Sequence, residues 1–302
     1  MGRTVGIIGA GHVGADTAFS LVTQGLCDEI VLIDTNEAKA RSQGLELRDM
    51  ASLVASRVHI VVNDYAALQR ARVVVMAIGP TTLLREDRME ELVETSATVS
   101  QVVPRIMASG FSGVIISITN PCDVIAAVIQ RESGLPASRV FGTGTSLDTA
   151  RMKRVVGEFF AVDPKSVSGY VMGEHGESQF VAWSTVRIGG LPVSEWAGDK
   201  QPDLAAMKDQ VRAGGWEILQ GKGWTSFGIG TATARLVDAV LSDGQTVFPV
   251  SAWDEREGVY IGQPAIVGAG GIERTLPVTL APEEQRAYAA SARMIGRAFA
   301  SL

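Results

Sequence analysis

Gly9-Ala-Gly-His-Val-Gly14 is the stretch that decides the fold of this chain. It follows an apolar, β-branched run at 3–8 and precedes a helical pattern at 13–24, so its glycines occupy a strand-to-helix turn. In such a turn Gly9 permits the tight bend, Gly11 lets the backbone approach a pyrophosphate, and Gly14 allows close packing of helix on strand. The helix N-terminus adds amide donors for phosphate. The stretch predicts a dinucleotide-binding turn, and a merely structural turn is the alternative.

An acidic residue after the second strand pattern indicates which dinucleotide binds. Asp34 ends the apolar run at 29–33, about 20 residues beyond Gly14, where a carboxylate accepts hydrogen bonds from the adenosine ribose. The same charge repels a 2′-phosphate, so we expect NAD as the cofactor rather than NADP. His12 is interpreted as a solvent-facing residue at the helix start, without a chemical role.

Strand and helix patterns alternate from residue 3 to residue 141. This alternation predicts an α/β fold, a Rossmann doubly wound parallel sheet. After Gly144 the pattern changes to helices with longer, mixed strands, which predicts a C-terminal α+β substrate domain. We expect a dinucleotide-binding domain at 1–143 and a catalytic domain at 144–302. The pair Gly214-Gly215 falls within a helical pattern and favours a kink or a close packing contact there.

Composition narrows the possible functions. The chain has 302 residues, of which 46% are hydrophobic and 20% charged, and a net charge of −6. This charge argues against a general affinity for nucleic acid or anionic membranes, and no apolar run approaches the ~20 residues of a membrane helix. Because Cys27 and Cys122 lie far apart and lack metal-site spacing, we expect a reduced, cytoplasmic protein without a bound metal.

A second glycine-flanked stretch, Gly173-Glu-His-Gly176, carries one of the three histidines. A histidine pKa near ~6.5 suits proton transfer at neutral pH. Asp148 and Arg151 lie on one face of a predicted helix. A carboxylate on one nitrogen of His175 would fix its tautomer, and a guanidinium matches a substrate carboxylate. Taken alone, these residues also fit a structural histidine and a surface salt bridge.

Four motifs together resemble the L-lactate/malate dehydrogenase family over essentially the whole chain. They are Gly9-Ala-Gly-His-Val-Gly14, Ile118-Thr-Asn-Pro-Cys-Asp123, Leu147-Asp-Thr-Ala-Arg151 and Gly173-Glu-His-Gly176. The stretches 141–151 and 166–176 look closest to the L-2-hydroxyisocaproate dehydrogenase branch. The resemblance implies an NAD-dependent enzyme that interconverts small 2-oxo and 2-hydroxy acids, and a homodimer or homotetramer.

The resemblance also implies roles for the matching residues. His175 is similar to the family's acid/base, Asp148 to its carboxylate partner, and Arg151 to the clamp on the substrate carboxylate. In the reducing direction a hydride passes from NADH to C2 of the 2-oxo acid while His175 donates a proton to the oxygen. The cofactor is expected to bind first, because the nicotinamide forms one wall of the substrate site.

Three further positions match family residues. Asn120 is expected to hydrogen-bond the substrate oxygen and to lie near the nicotinamide; otherwise it is a turn residue before proline. Arg88 resembles the mobile-loop arginine that polarises the carbonyl, and Arg85 competes for that role. Thr225 resembles the pocket-wall residue beside the reacting carbon.

The segment before Arg88 predicts the substrate side chain. The family's side-chain discriminator falls at Thr82, flanked by Leu83 and Leu84, where malate enzymes place arginine and lactate enzymes commonly glutamine. An apolar pocket favours a branched or larger 2-oxo monocarboxylic acid, with pyruvate possible. If the alignment shifts by one to three positions, Arg85 could pair a second carboxylate and make the enzyme a malate dehydrogenase.

Two rival functions differ in class. An NAD-dependent glycosidase would need a divalent metal, for which Cys122 is the only indication in the sequence. A catalytically silent NAD-binding sensor would not need the set formed by Asp148, Arg151 and His175.

Overall fold

The computed structural model describes residues 2–79, 88–196 and 201–302. Of residues 88–90 it describes the backbone and not the side chains. Six strands form the first part of the main sheet: β1 (Thr4–Ile8), β2 (Glu29–Ile33), β3 (His59–Val62), β4 (Val73–Met76), β5 (Val114–Ser117) and β6 (Val140–Gly142). Their order is β3-β2-β1-β4-β5-β6, and each neighbouring pair is parallel. The predicted Rossmann sheet is thereby confirmed.

Helices cover both faces of these strands. In this part of the chain they are α1 (His12–Thr23), α2 (Glu37–Ala51), α3 (Arg88–Ala108) and α4 (Cys122–Ser133). On β4, Val73 and Val75 join the core under α1 and α2, whereas Val74 and Met76 join the core under α3 and α4. Side chains alternate between the faces of a strand, so a strand that is covered on both faces is apolar throughout.

The second half of the chain mixes helices with antiparallel strands. Its helices are α5 (Ser146–Phe160), α6 (Leu204–Lys222), α7 (Phe227–Leu241) and α8 (Pro282–Ala300). Its strands are β7 (Val167–Met172), β8 (Phe180–Ile188), β9 (Leu191–Pro192), β10 (Thr246–Asp254), β11 (Val259–Gly268) and β12 (Gly271–Thr275). Strands β7 to β9 form a separate three-stranded sheet. No helix in the described part of the chain has the length and hydropathy of a membrane span.

The main sheet continues across the predicted domain boundary. Strand β10 pairs antiparallel with β6 through Ser251 and Gly142, and β11 and β12 follow it, giving a nine-stranded sheet. Without β10 the short strand β6 would be an open edge with unpaired backbone groups. The sequence patterns did not predict this junction, because strand pairing between distant segments leaves no local signal. The division at residue 143 stays a prediction.

Candidate active site

The backbone of the His175 loop is fixed by three different elements. The Gly173 N–H donates to the Gly262 carbonyl of β11 at 3.0 Å, and Gly173 adopts φ +95° as the chain leaves β7. The Glu174 N–H donates to Ser291 Oγ of α8 at 2.6 Å, and the His175 N–H donates to Asp123 Oδ2 of α4 at 2.8 Å. Because three consecutive amides are held, the main chain that carries the imidazole is fixed in place.

His175, Asp148 and Arg151 lie together as the sequence predicted. The Nδ1 of His175 lies 2.7 Å from Asp148 Oδ2, and Arg151 Nη1 donates to Asp148 Oδ1 at 2.8 Å. The Gln179 amide, with its nitrogen toward Asp148, lies 3.2 Å from both carboxylate oxygens. Asp148 is 1% exposed, whereas the His175 side chain is 25% exposed. The imidazole thus connects a buried carboxylate to open space.

The charges in this set favour a protonated imidazole. Burial alone would lower the pKa of His175, but the charge of Asp148 and its hydrogen bond outweigh burial and raise that pKa above its usual value. Burial likewise acts to raise the pKa of Asp148, but His175 and Arg151 hold it below its usual value. An ionised carboxylate only accepts hydrogen bonds, so Nδ1 carries the proton facing Asp148 and Nε2 is the atom that can exchange one.

Arg151 keeps donors available for an anion. Its side chain is 13% exposed, and its buried Nε has no hydrogen-bond partner among the described residues. A buried donor without a partner carries a free-energy cost that an anionic ligand removes. Helix α6 leaves room for this group: a Cβ on Gly215 would lie 3.3 Å from both Nη atoms of Arg151. The close packing contact expected at Gly214-Gly215 is therefore the contact between Gly215 and the guanidinium of Arg151.

The glycine turn has the geometry that was predicted from its sequence. Gly9 adopts φ +105°, and a Cβ there would lie 2.4 Å from the Ala77 carbonyl oxygen. A Cβ on Gly14 would lie 1.9 Å from the Gly9 carbonyl oxygen, whereas a Cβ on Gly11 would meet nothing within 4 Å. Gly14 thus allows α1 to pack against the end of β1, and Gly9 lets the turn pass close to the chain that follows β4. Gly11 faces open space where a phosphate can approach.

Asp34 supports the glycine turn directly. Its Oδ2 accepts from the Ala10 N–H at 2.7 Å and its Oδ1 from the Asn36 N–H at 2.8 Å. A carboxylate has about four acceptor positions, so both oxygens can still accept from a ribose. The ribose contact stays a prediction.

The other sequence candidates are placed less completely. Asn120 is exposed just beyond the carboxyl end of β5, and Thr225 lies half-buried between α6 and α7. The backbone of Arg88 begins α3, but its side chain lies outside the described residues, as do Thr82 and Arg85. The roles expected of these residues stay predictions.

The sequence patterns missed a ring stack beside the glycine turn. His12, interpreted as a solvent-facing residue, is exposed but stacks on Trp224, with ring centroids 3.9 Å apart and an interplanar angle of 6°. Gln179 and Ser251 were also given no role, because each acts through a neighbour that is distant in sequence. Asp123 was given no role either, although it is the last residue of the quoted motif Ile118-Thr-Asn-Pro-Cys-Asp123.

Cys122 does not have the surroundings of a metal ligand. It is 1% exposed, burial raises the pKa of its thiol to about 12, and its Sγ lies 3.4 Å from the Gly144 N–H. In the described ranges, no group of three or more His, Cys, Asp or Glu side chains is placed to hold a metal ion.

Comparisons with known proteins agree over the full length of the chain. The profile of the lactate/malate dehydrogenase NAD binding domain matches residues 3–142, and that of the alpha/beta C-terminal domain matches residues 145–298. L-lactate dehydrogenase 1 of Bifidobacterium longum is 40% identical over 298 residues, which cover 96% of this chain and 94% of that protein. L-lactate dehydrogenase 2 of Enterococcus faecalis is 35% identical, with 99% and 97% covered. The ligand-bound structure of minor L-lactate dehydrogenase from Enterococcus mundtii has a TM-score of 0.96 at 35% identity, with 100% and 98% covered.

Proposed function

The chain belongs to the lactate/malate dehydrogenase family, and from this premise we propose that it interconverts a 2-oxo monocarboxylic acid with an apolar side chain and the corresponding L-2-hydroxy acid. It is an NAD-dependent oxidoreductase that acts on 2-hydroxy acids. The observation that carries the proposal is that His175 and Arg151 both contact Asp148. An imidazole that can exchange a proton and a guanidinium that can bind an anion therefore share one carboxylate, which supports the reaction proposed. These three residues also favour an enzyme over a silent NAD-binding sensor.

The chain's own groups divide the work of the reaction. NADH supplies the hydride when bound; Gly9, Gly11, Gly14, Asp34 and Asn120 would hold the cofactor, and the open side of Gly11 fits a phosphate. His175 donates the proton at Nε2 to the substrate oxygen, while Asp148 holds Nδ1 and stabilises the imidazolium before transfer.

Substrate binding uses a separate set of groups. Arg151 pairs the substrate carboxylate with the donors that Asp148 does not occupy. Arg88 is assigned to stabilise the charge that develops on the substrate oxygen, and Thr225 to bound the pocket.

The sequence Thr81-Thr82-Leu83-Leu84 supports an apolar substrate side chain, since it offers neither a cation nor a long amide. A branched side chain, as in the L-2-hydroxyisocaproate dehydrogenase branch, fits it well. The relatives named as L-lactate dehydrogenases make pyruvate the next candidate. Oxaloacetate would require Arg85 to act as the discriminator.

A substrate panel tests this proposal. NADH oxidation is measured at fixed enzyme concentration with pyruvate, 2-oxoisocaproate, phenylpyruvate and oxaloacetate. We expect kcat/KM to be highest for the branched or aromatic acids. In Thr82→Arg, preference should move toward oxaloacetate by about 1–3 kcal/mol of transition-state binding, with Thr81→Arg as the matched control. A wild-type preference for oxaloacetate would refute the apolar pocket.

A homodimer or homotetramer is the second part of the proposal. Exposed apolar side chains support it: Leu53 is 86% exposed, Phe227 71%, Leu45 57% and Phe19 52%. Apolar surface of this kind marks protein interfaces when it is contiguous. Light scattering after size exclusion should give a mass at least twice the 31.9 kDa of the chain, and a monomer at micromolar concentration would refute it.

The expected cytoplasmic location is also kept as a proposal. It rests on Cys27 and Cys122, which are both buried and free. Disulfides are rare in reducing compartments.

A further inference from the structure

A buried carboxylate beside the site has no role in the reaction described above. Asp123 is the second residue of α4, three positions after Asn120, and is 2% exposed. An acid in the first turn of a helix is favoured by the helix dipole, but on the surface it obtains this benefit without losing hydration. Burying the carboxylate is costly, so a purely structural role would be served better by a neutral side chain.

The contacts of Asp123 join three separate segments. Its Oδ2 accepts from the His175 N–H at 2.8 Å, and its Oδ1 accepts from the Ser251 hydroxyl at 2.5 Å. Ser251 is the residue of β10 that pairs with Gly142 of β6. Asp123 thus connects the segment that carries Asn120, the loop that carries His175 and the junction of the main sheet. Neither hydrogen-bond donor is a cation, so the negative charge is not neutralised by these two contacts.

Resting on the proposed function, we propose that Asp123 is a positioning residue for His175: its carboxylate fixes the backbone of the histidine and adds a second negative charge behind the imidazole. Asp148 holds the ring from Nδ1, and Asp123 holds the chain from the amide. The two acids constrain the imidazole at two points, which leaves Nε2 directed to the open side of the site.

The charge of Asp123 acts on proton transfer as well as on geometry. Together with Asp148 it raises the pKa of His175, whereas burial and Arg151 lower that pKa. Burial raises the pKa of Asp123 itself to about 6, opposed by its bonds from Ser251 and His175. As pH falls through about 6, Asp123 becomes protonated, and one of the two negative charges that stabilise the imidazolium form of His175 is lost. Within the described part of the chain, the titratable or charged groups that act on the pair are Asp148, Arg151, Glu174, Cys122 and Tyr288.

Titration of the histidine rings by NMR tests the proposal without relying on turnover. The chain has three histidines, so ring-labelled protein gives three signals, and His175→Asn identifies that of His175. In Asp123→Asn we expect the midpoint of His175 to fall by about 0.5–1 unit, because one negative charge is removed. The asparagine can still accept from the His175 N–H and donate to Ser251. The signals of His12 and His59 should not move.

Three comparisons make the result specific. Glu132→Gln removes the same charge from the other end of α4 and should leave the midpoint of His175 unchanged. Ser251→Ala weakens the ionised form of Asp123 and should lower the midpoint by less than Asp123→Asn does. In the wild-type protein the His175 signal should show a second inflection near pH 6, where Asp123 titrates. An unchanged midpoint in Asp123→Asn, or an equal fall in Glu132→Gln, would overturn the proposal.

Kinetics then separate this inference from the proposed function. In Asp123→Asn the fall of kcat/KM for 2-oxo acid reduction at high pH should shift down by the same amount as the NMR midpoint, with the NADH dissociation constant unchanged. If none of the 2-oxo acids supports NADH oxidation by the wild-type protein, the proposed function is refuted. The NMR titration would still decide the role of Asp123.

Discussion

At the scale of single residues, the site depends on how a buried carboxylate is compensated. Asp148 loses nearly all its hydration and regains its stability from His175, Arg151 and Gln179. Against the effect of burial, His175 and Arg151 also keep Asp148 ionised, and an ionised Asp148 in turn favours a protonated His175. The proton to be transferred is therefore held by charges that the protein places, not by the surrounding water.

Replacing His175 by Asn should remove turnover while leaving the cofactor site intact. Asparagine keeps a polar contact with Asp148 but has no group that exchanges a proton near neutral pH, so kcat should fall by about 10²–10⁴-fold or more. Stopped-flow oxidation of NADH measures the loss, and fluorescence titration with NADH serves as the control. Substantial remaining activity would show that another residue is the acid.

The pH dependence of the two directions should be opposite. Reduction needs a protonated His175, so kcat/KM for the 2-oxo acid should fall as pH rises through the raised pKa of His175. Oxidation of the hydroxy acid needs the neutral ring, so its kcat/KM should rise over the same range, which lies above ~6.5. Profiles in both directions with one enzyme preparation check this, and two limbs of the same sign would contradict it.

The residues that the sequence identified are those whose chemistry is local. Asp148 and Arg151 share a helix face, and the glycines of the turn are read from their spacing. Asp123 and Ser251 could not be paired from sequence, because they are brought together only when β10 joins β6. Gln179 was missed for the same reason.

At the scale of elements, α6 packs against the guanidinium of Arg151 at Gly215, where the absence of a side chain leaves space for it. A Cβ on Gly215 would lie 3.3 Å from the guanidinium, whereas a Cβ on Gly221 in the same helix would meet nothing within 4 Å. The two positions share the helical backbone and differ only in their surroundings, so they form a matched pair.

Gly215→Ala should therefore weaken substrate binding. The guanidinium must shift by a few tenths of an ångström, and we expect KM for the 2-oxo acid to rise by about 5- to 10-fold. Gly221→Ala should leave KM unchanged and stabilise the helix by up to about 1 kcal/mol. Steady-state kinetics and urea unfolding of both variants measure this. Equal KM values in the two variants would show that Gly215 does not seat Arg151.

The bounds of the elements were predicted well where apolar periodicity is strong. The alternating pattern gave β1 to β6 and the four helices between them within two residues at each end. Strand β12 and the short strand β9 were not predicted. β9 has two residues, which are too few to show a period. β12 lies at the sheet edge, and its sequence Gly-Ile-Glu-Arg-Thr is mostly polar and partly exposed, so it lacks the apolar pattern of a covered strand.

At the scale of the whole molecule, the two halves meet through the backbone at Gly144. This residue adopts φ +51°, and a Cβ there would lie 2.2 Å from the Ser251 nitrogen and 2.6 Å from the Val250 carbonyl carbon. Gly134 has a similar φ of +65° at the end of α4, but a Cβ there would meet nothing within 4 Å. Comparing the two separates the cost of the backbone conformation from the cost of the junction.

Gly134→Ala should lower the free energy of unfolding by about 1–2 kcal/mol, the cost of a left-handed conformation. Gly144→Ala adds a clash with the backbone of β10, and we expect a total loss of about 3 kcal/mol or more. Urea unfolding followed by circular dichroism measures both. If the two variants lose similar amounts of unfolding free energy, the backbone of β10 can shift to accommodate the added methyl group, and the junction is not rigid.

The anchoring of the His175 loop has a consequence for how the enzyme is made. The Glu174 amide is held by Ser291, which belongs to α8, the last helix of the chain. On the ribosome α4 and β11, which hold the other two amides of the loop, emerge before α8, so the Ser291 anchor is the last of the three to form. A chain that lacks α8 would therefore hold the His175 loop by two of its three amide contacts, and the catalytic geometry is complete only after α8 has docked.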